Sequence, residues 1–556
     1  MKVKKLIDKA FLHYRKTEYD KSKKILSSLS HPHAFYILGL IEYAQSQYDT
    51  AARYFQKAHS GDKNNYEILY NLGLSNKQLG KLSEAISNFE KSIKLRKNYS
   101  PALKALARVN LDTENWLGAS NIYTQLLKTH PDDQVIIYGL AISNLELGHL
   151  SEADDLINSL CAGDNISPNI YYLRARIRVQ KGELDAAIDD LVIALSNEKS
   201  ALSFKLLAEQ YWNLGRHEDF NQIIQEALSD QLLVLTALDL LNSSGQAEKS
   251  AEMLQKADNH ASLSEEALMI YGQARITTNE ADSAEAIARR CLALNPKNVV
   301  AMSNLISSLL MQGQAGEALE KILIMRSREP FGQHWIAYET IALKILKDPK
   351  YEVLNDFDKF VQAFELPIPR GFSSIKEFNQ AFRRVLEDYN PYSHYPLGQS
   401  VRGGSQTELD LAKVDHEVIR AYIEAIDTPI KQYLSIIGYA AEHPLLSRNM
   451  GKYSIAGCWS VTLQGQGNHI NHVHPQGWIS SSYYIEIPES PEPDKKQGWI
   501  KFGEPPFETQ PKILPQKWIQ PKSGLIVLFP SYMWHGTVPT TENTIRITAP
   551  FDLVPK

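Results

Sequence analysis

The chain is 556 residues long, 43% hydrophobic and 22% charged, with a formal net charge of −5. That length exceeds a single core and suits about two to four domains, and the composition excludes a disordered chain. The mild acidity gives no reason to expect nucleic acid or an anionic membrane as a partner.

The opening stretch MKVKKLIDKAFLHYRK is basic, but no apolar segment of the secretory kind follows it. No apolar run nears the roughly 18 residues that span a bilayer. Cys161, Cys291 and Cys458 are odd in number and far apart, which excludes a disulfide framework or a CxxC metal site. Three buried thiols in a reducing cytoplasm are the expectation.

From the N terminus to about residue 345 the chain repeats itself. Gly39, Gly73, Ala107, Ala141 and Ala175 fall at intervals of 34, and so do Ala51, Ala85, Ala119, Ala153 and Ala187. Each pair is 12 residues apart, with turns such as GKLSE and GHLSE between them. Small residues at a fixed period mark helices that cross closely, and Leu, Ile, Tyr and Phe at helical spacing fill the remaining stripe. The register degrades around Ala208 to Ala251, then returns at Gly272/Ala284 and Ile306/Ala318. An irregular unit over Leu6 to Leu26 precedes it, for about eight or nine helix pairs in all. Period and residue types resemble the tetratricopeptide repeat, which implies an all-α superhelical solenoid. A groove for a protein or peptide partner is the functional expectation; a scaffold that only carries the C-terminal domain is the structural one.

Residues 346–395 read as a connector with helical segments, broken by Pro367, Pro369, Gly371 and Pro391, with Pro396 just beyond it. Residues 396–556 read as a separate all-β domain, a barrel or jelly roll, with a helical lead-in over Glu408 to Gly438. The strands are expected at Trp459–Leu463, Trp478–Ile487, Trp499–Phe502, Leu525–Phe529 and Ile545–Phe551, rich in Val, Ile, Tyr, Trp and Thr. The segment RGGSQT, with Arg402, Gly403, Gly404 and Gln406, reads either as a substrate-positioning loop or as a tight turn.

Four of the 16 histidines fall after residue 460: His469, His472, His474 and His535. His472 and His474 are two apart, so a strand points both to one face. His535 follows another strand after one short turn. Three ligands on one face of a metal leave the opposite face open for substrates. His469 reads as a loop or supporting histidine. Arg546 and Thr548 alternate onto one face of the last strand, and an inward Arg there requires an anion, such as a carboxylate matched to its fork of donors. The tryptophans of this domain read as packing, with Trp478 and Trp534, beside the histidine motifs, as candidates for a pocket wall.

The order His-x-His, about 60 residues, His, about 10 residues, Arg-x-Thr resembles the double-stranded β-helix of 2-oxoglutarate-dependent oxygenases. The run from LGQSVRGGSQT through FGEPP and FPSYMWHGTVP to the end is similar to the tetratricopeptide-linked 2OG-Fe(II) oxygenases, over roughly the last 160 residues. The resemblance implies a non-haem Fe(II), 2-oxoglutarate-dependent dioxygenase. Its catalytic metal would be held by His472 and His535, with His474 where most of the superfamily has Asp or Glu. Arg546 would hold the distal carboxylate of 2-oxoglutarate, with Thr548 beside it. Tyr484, sharing a face with Ser480 and Ser482, would lend a hydroxyl. Three readings of the third ligand stay open: His474 itself, a carboxylate such as Glu486 or Asp552, or a domain without full activity. Hydroxylation of a protein or peptide is the preferred outcome, on architecture alone. A cupin-type metalloenzyme and a non-catalytic repeat adaptor with a relic β-domain compete with it.

Overall fold

In a computed structural model, residues 2–163, 166–260, 262–488, 493–541 and 544–556 are described. By backbone contacts the chain divides into two units, Met1–Lys181 and Gly182–Lys556.

In the first unit, the small residues of the 34-residue period sit where helices cross. Ala51, Ala85, Ala107, Ala119, Ala141, Ala153 and Ala175 are fully buried. A Cβ added at Gly39 would lie 2.6 Å from the Phe55 ring, and one at Gly73 2.5 Å from Phe89. Glycine at these two positions therefore gives Phe55 and Phe89 room to lie flat against the neighbouring helix. Helices run from Lys2–Arg15 to Pro168–Lys181, and the first ten of them form five antiparallel pairs. Their cores are small and successive, such as Ile7/Leu26/Ile41, then Ala51/Phe55/Leu72, then Ala85/Phe89/Val109. Each repeat thus packs only on its neighbours. The chain turns back through a left-handed residue at Ser46, Gly80, Glu114 and Gly148, again 34 apart.

The second unit begins with more helices of the same kind, Leu184–Asn197 to Gln333–Leu346. Here the left-handed residues are Gly182, Gly215, Gly245, Asn279, Gly313 and Lys347. Their spacing contracts between Gly182 and Gly245 and then returns to 34. The contraction coincides with two short helices, His217–Ala227 and Val234–Ser243, of 11 and 10 residues. This is the physical origin of the degraded register.

The last four of these helices, from Ala281–Leu294 onward, share one hydrophobic core with the β-region: Ala288, Leu309, Ile322 and Trp335 belong to the same buried cluster as Tyr483, Phe529 and Phe551. Helix Gln333–Leu346 is buried nearly all round, as an interior helix must be. Polar tips of aromatic side chains tie the layers together. Trp534 Nε1 donates to Ala337 O at 3.0 Å, Tyr532 OH to Leu354 O at 2.6 Å, and Tyr422 OH to Ala549 O at 2.6 Å.

The strands are β1 (Gln362–Glu365), β2 (Val401–Gln406), β3 (Tyr453–Cys458), β4 (Val461–His469), β5 (Ile479–Glu486), β6 (Ile500–Phe502), β7 (Lys517–Ile519), β8 (Leu525–Pro530), β9 (His535–Thr537), β10 (Ile545–Thr548) and β11 (Phe551–Pro555). The larger sheet runs β1-β8-β5-β10-β4-β2, with β11 joining β5 to β3, and the smaller runs β7-β6-β9. Every pairing is antiparallel. This is the jelly-roll arrangement following an all-α repeat array.

Three expectations need correction. The connector is not only helical: β1 adds a strand beside β8. RGGSQT is neither loop nor tight turn but strand β2, paired with β4. A Cβ at Gly404 would lie 2.2 Å from Thr462 O, so glycine is what lets these backbones approach. The expected strand Trp459–Leu463 starts in the break between β3 and β4, at Trp459–Ser460, and only its last three residues belong to β4; the expected strand Ile545–Phe551 is the meeting of β10 and β11, with a break at Ala549–Pro550.

Candidate metal centre

His472 and His535 are joined backbone to backbone. His472 N donates to His535 O at 2.8 Å, and His535 N donates to His472 O at 3.1 Å. This isolated bridge closes the seam between the end of β4 and the start of β9. His474 N donates to Ser531 O at 2.9 Å, just beyond β8. The three rings therefore rise from one edge, and one ligand nitrogen from each lies within 4.8 Å of the others.

The Nδ1 atoms decide which nitrogen faces inward. His472 Nδ1 lies 2.8 Å from Ile470 O, and His535 Nδ1 lies 2.9 Å from Met533 O. His474 Nδ1 lies 2.8 and 2.7 Å from the two carboxylate oxygens of Asp552. Carbonyl and carboxylate oxygens can only accept, so all three Nδ1 atoms carry protons and all three Nε2 lone pairs are free. His474 Nε2 and His472 Nε2 stand 3.2 Å apart. Burial pushes His472 down to about 3, with His474 adding to the effect, and it pushes His535 and His469 well below the ordinary imidazole value. Converging Nε2 atoms with pinned Nδ1–H groups are what a divalent metal needs.

Asp552 is held in turn by Ser480, whose Oγ donates to Asp552 Oδ1 at 2.7 Å and lies 2.8 Å from Ser531 Oγ. Ser480 thus supports the carboxylate behind His474 and does not line the cavity. Glu486 pairs with Arg383 and is turned away from the histidines. Of the alternatives to His474 as third ligand, Glu486 is spent elsewhere, and Asp552 approaches the site through His474.

The cavity in front of the histidines is about 430 Å³ and also contains Ser482, Arg546 and Thr548. Arg546 is 2% exposed, and its Nε and Nη1 have no hydrogen-bond partner. Burial lowers its pKa, opposed by Tyr484. The guanidinium lies over the Tyr484 ring, 5.2 Å from its centroid, and the buried Tyr484 hydroxyl also lacks a partner. A buried cation with two orphaned donors, beside an orphaned hydroxyl, fits a carboxylate-bearing ligand. The donor set thus fits a metal and a dicarboxylate together.

His469 also lines this cavity, its Nδ1 3.0 Å from Ser400 Oγ, but stands outside the close histidine triad. Trp478 and Trp534 do not line it. Both are buried, with Trp478 Nε1 donating to Leu445 O at 3.0 Å. The tryptophan of the cavity is Trp459, its ring 5.8 Å from that of His474. Gln399 and Gln406 join it from either end of β2. Sequence reasoning passed over Trp459 and Gln399 because their exposure depends on a break between strands and on how β2 docks.

Residues 457–552 match the profile of the family described as "Putative 2OG-Fe(II) oxygenase", and residues 66–99 match that of the tetratricopeptide repeat. Among curated proteins, a TPR repeat-containing protein of Methanocaldococcus jannaschii is 22% identical over 349 residues, 56% of this chain and 61% of that protein. Lipopolysaccharide assembly protein B of Escherichia coli is 20% identical over 284 residues, 50% of this chain and 61% of that protein. The chain thus spans 61% of the length of either relative. Among solved structures, a tetratricopeptide repeat protein from Parabacteroides merdae is 14% identical with a TM-score of 0.36, covering 50% of this chain and 98% of that one. The chain thus contains a segment that matches the tetratricopeptide repeat and, towards its C terminus, one that matches the "Putative 2OG-Fe(II) oxygenase" family.

Proposed function

We propose that the protein is a dioxygenase that uses Fe(II) and 2-oxoglutarate to hydroxylate a protein or peptide, with the repeat helices recruiting that partner. The observation that carries this reading is one cavity holding both three inward Nε2 atoms and the unpaired Arg546 guanidinium. His472, His474 and His535 would hold the metal. When bound, Fe(II) and 2-oxoglutarate supply oxidising power from dioxygen, at the expense of decarboxylating 2-oxoglutarate to succinate.

The chain's own residues do the positioning. Arg546 and Tyr484 offer donors to the distal carboxylate, with Thr548 beside them. The backbone carbonyls of Ile470 and Met533, and the carboxylate of Asp552, hold the imidazoles in their ligating tautomer. Asp552 also places a negative charge one imidazole away from the metal position, which offsets part of the charge that a directly bound carboxylate would have supplied.

A cupin-type centre fits less well. It would place a Glu shortly after the His-x-His pair, where Pro475 and Gln476 stand here, and it leaves Arg546 without a role. A non-catalytic adaptor would have no need of an orphaned buried guanidinium. A cytoplasmic setting is part of the proposal, in keeping with the buried thiols of Cys291 and Cys458; Cys161, expected to be buried as well, is only partly so. Among the described residues no helix is long and apolar enough to cross a membrane.

The test is anaerobic Fe(II) loading followed by measurement of succinate formed from 2-oxoglutarate, with and without cell extract. Metal-dependent turnover that rises with extract is expected. Failure to bind metal, or to turn over 2-oxoglutarate under any of these conditions, sinks the reading.

A further inference from the structure

Gln399, Gln406 and Trp459 line two cavities, not one. On their far side lies a second concavity of about 460 Å³. Its walls come from the repeat helix Ala201–Asn213, the segment leading into and out of β2, and β3. A single extended ligand can thus reach the metal centre and the repeat helix together.

The second cavity presents acceptors. Glu209 is partly buried and makes no hydrogen bond or ion pair among the described residues. Asn213 is 2% exposed; its Nδ2 donates to Glu408 Oε1 at 2.9 Å, while its Oδ1 has no partner. Burial raises the pKa of Glu209, and the negative charges of Glu408 and Asp239 add to the rise. The nearby cation is Lys205, one helical turn away and exposed. A desolvated carboxylate and an orphaned amide oxygen side by side are costly unless donors meet them. Asp410 of the same cavity is already engaged by the backbone N–H groups of Ala412 and Cys458. Trp459, which lines both cavities, offers a ring face of the kind that attracts cations.

We propose that this second cavity is a subsite for a basic side chain, arginine or lysine, of the polypeptide whose neighbouring residue is presented to the metal centre. Glu209, Glu408 and Asn213 Oδ1 receive its donors, so the repeat helix takes part in reading the substrate as well as recruiting it. This deepens the oxygenase reading and rests on it for the identity of the first cavity.

The experiment uses the full-length protein and two short, fluorescently labelled Gly/Ser peptides, one with a central arginine and one with citrulline, its neutral isostere. Binding is followed by anisotropy at low ionic strength. The arginine peptide should bind roughly tenfold tighter. Glu209→Gln and Glu408→Gln should each reduce that preference, and Lys205→Gln should increase it. Equal binding of the two peptides, or a preference unchanged in both Gln variants, overturns the subsite. Fe(II) and 2-oxoglutarate binding are measured on the same preparations. Metal and cosubstrate binding without an arginine preference removes this inference alone, whereas an arginine preference without metal binding removes the oxygenase reading.

Discussion

His474 Nδ1 lies 2.8 and 2.7 Å from the two carboxylate oxygens of Asp552, 78 residues further along the chain. At the proposed metal site, the carboxylate that most of the superfamily places on the metal would be one imidazole removed. It fixes the ring, makes Nε2 a stronger donor and keeps a negative charge near the site.

Asp552→Asn should therefore weaken metal binding roughly 10- to 100-fold without abolishing it. The Asn side chain can still accept from His474 Nδ1, so the ring stays oriented while the charge is lost. Competition of Fe(II) or Co(II) against a chelating dye checks this. An affinity equal to wild type would show that Asp552 only packs.

His472→Ala and His535→Ala should each lose stoichiometric metal, and His474→Ala should lose it as well. Fe(II) stoichiometry after anaerobic gel filtration is the measurement. Full stoichiometry in His474→Ala would remove the three-histidine centre and leave the other two histidines in place.

Arg546→Met should abolish the stabilisation that 2-oxoglutarate confers, a loss of about 2–5 kcal/mol of binding, with metal stoichiometry kept. In the absence of cosubstrate the variant should be as stable as wild type or more so, since it removes a buried unpaired cation. Melting curves with and without 2-oxoglutarate test both halves. A strong drop in the cosubstrate-free melting temperature would mean that Arg546 has a structural partner.

Glu209 has its pKa raised by burial to about 7, from an ordinary value of 4.5. The folded state thus holds this proton more tightly than the unfolded one. Its contribution favours folding below pH 4.5 and is lost progressively as pH rises towards 7. Glu209→Gln should be more stable than wild type at pH 8, with the difference closing towards pH 4.5. Chemical denaturation at both pH values measures it; a constant difference would exclude a shifted Glu209.

Gly404→Ala should destabilise the β-region by about 1–3 kcal/mol, because the added Cβ meets a backbone oxygen that cannot move aside. The urea midpoint of the tertiary signal checks this. An unchanged midpoint would show that β2 and β4 can separate without loss.

Local pattern determined much of this protein. The 34-residue period fixes small residues at helix crossings, because a helix face repeats at known spacing and only Gly or Ala fits where two backbones approach. Gly39 against Phe55 and Ala153 in its core are instances. Arg546 was legible as an inward cation because strand alternation is also local, but His472 and His474 lie beyond the end of β4, and the backbone bonds to His535 and Ser531, not a shared strand face, bring their rings together. Tertiary structure decided the rest. The helices from Ala281 onward share a core with the β-region, and no periodicity reports which neighbour a helix face will meet. RGGSQT became a strand because β4 was there to pair with it. Asp552 behind His474, Trp459 lining two cavities, and Glu209 facing Glu408 each join residues far apart in the chain, and such meetings are set by packing and strand register, which sequence spacing does not encode.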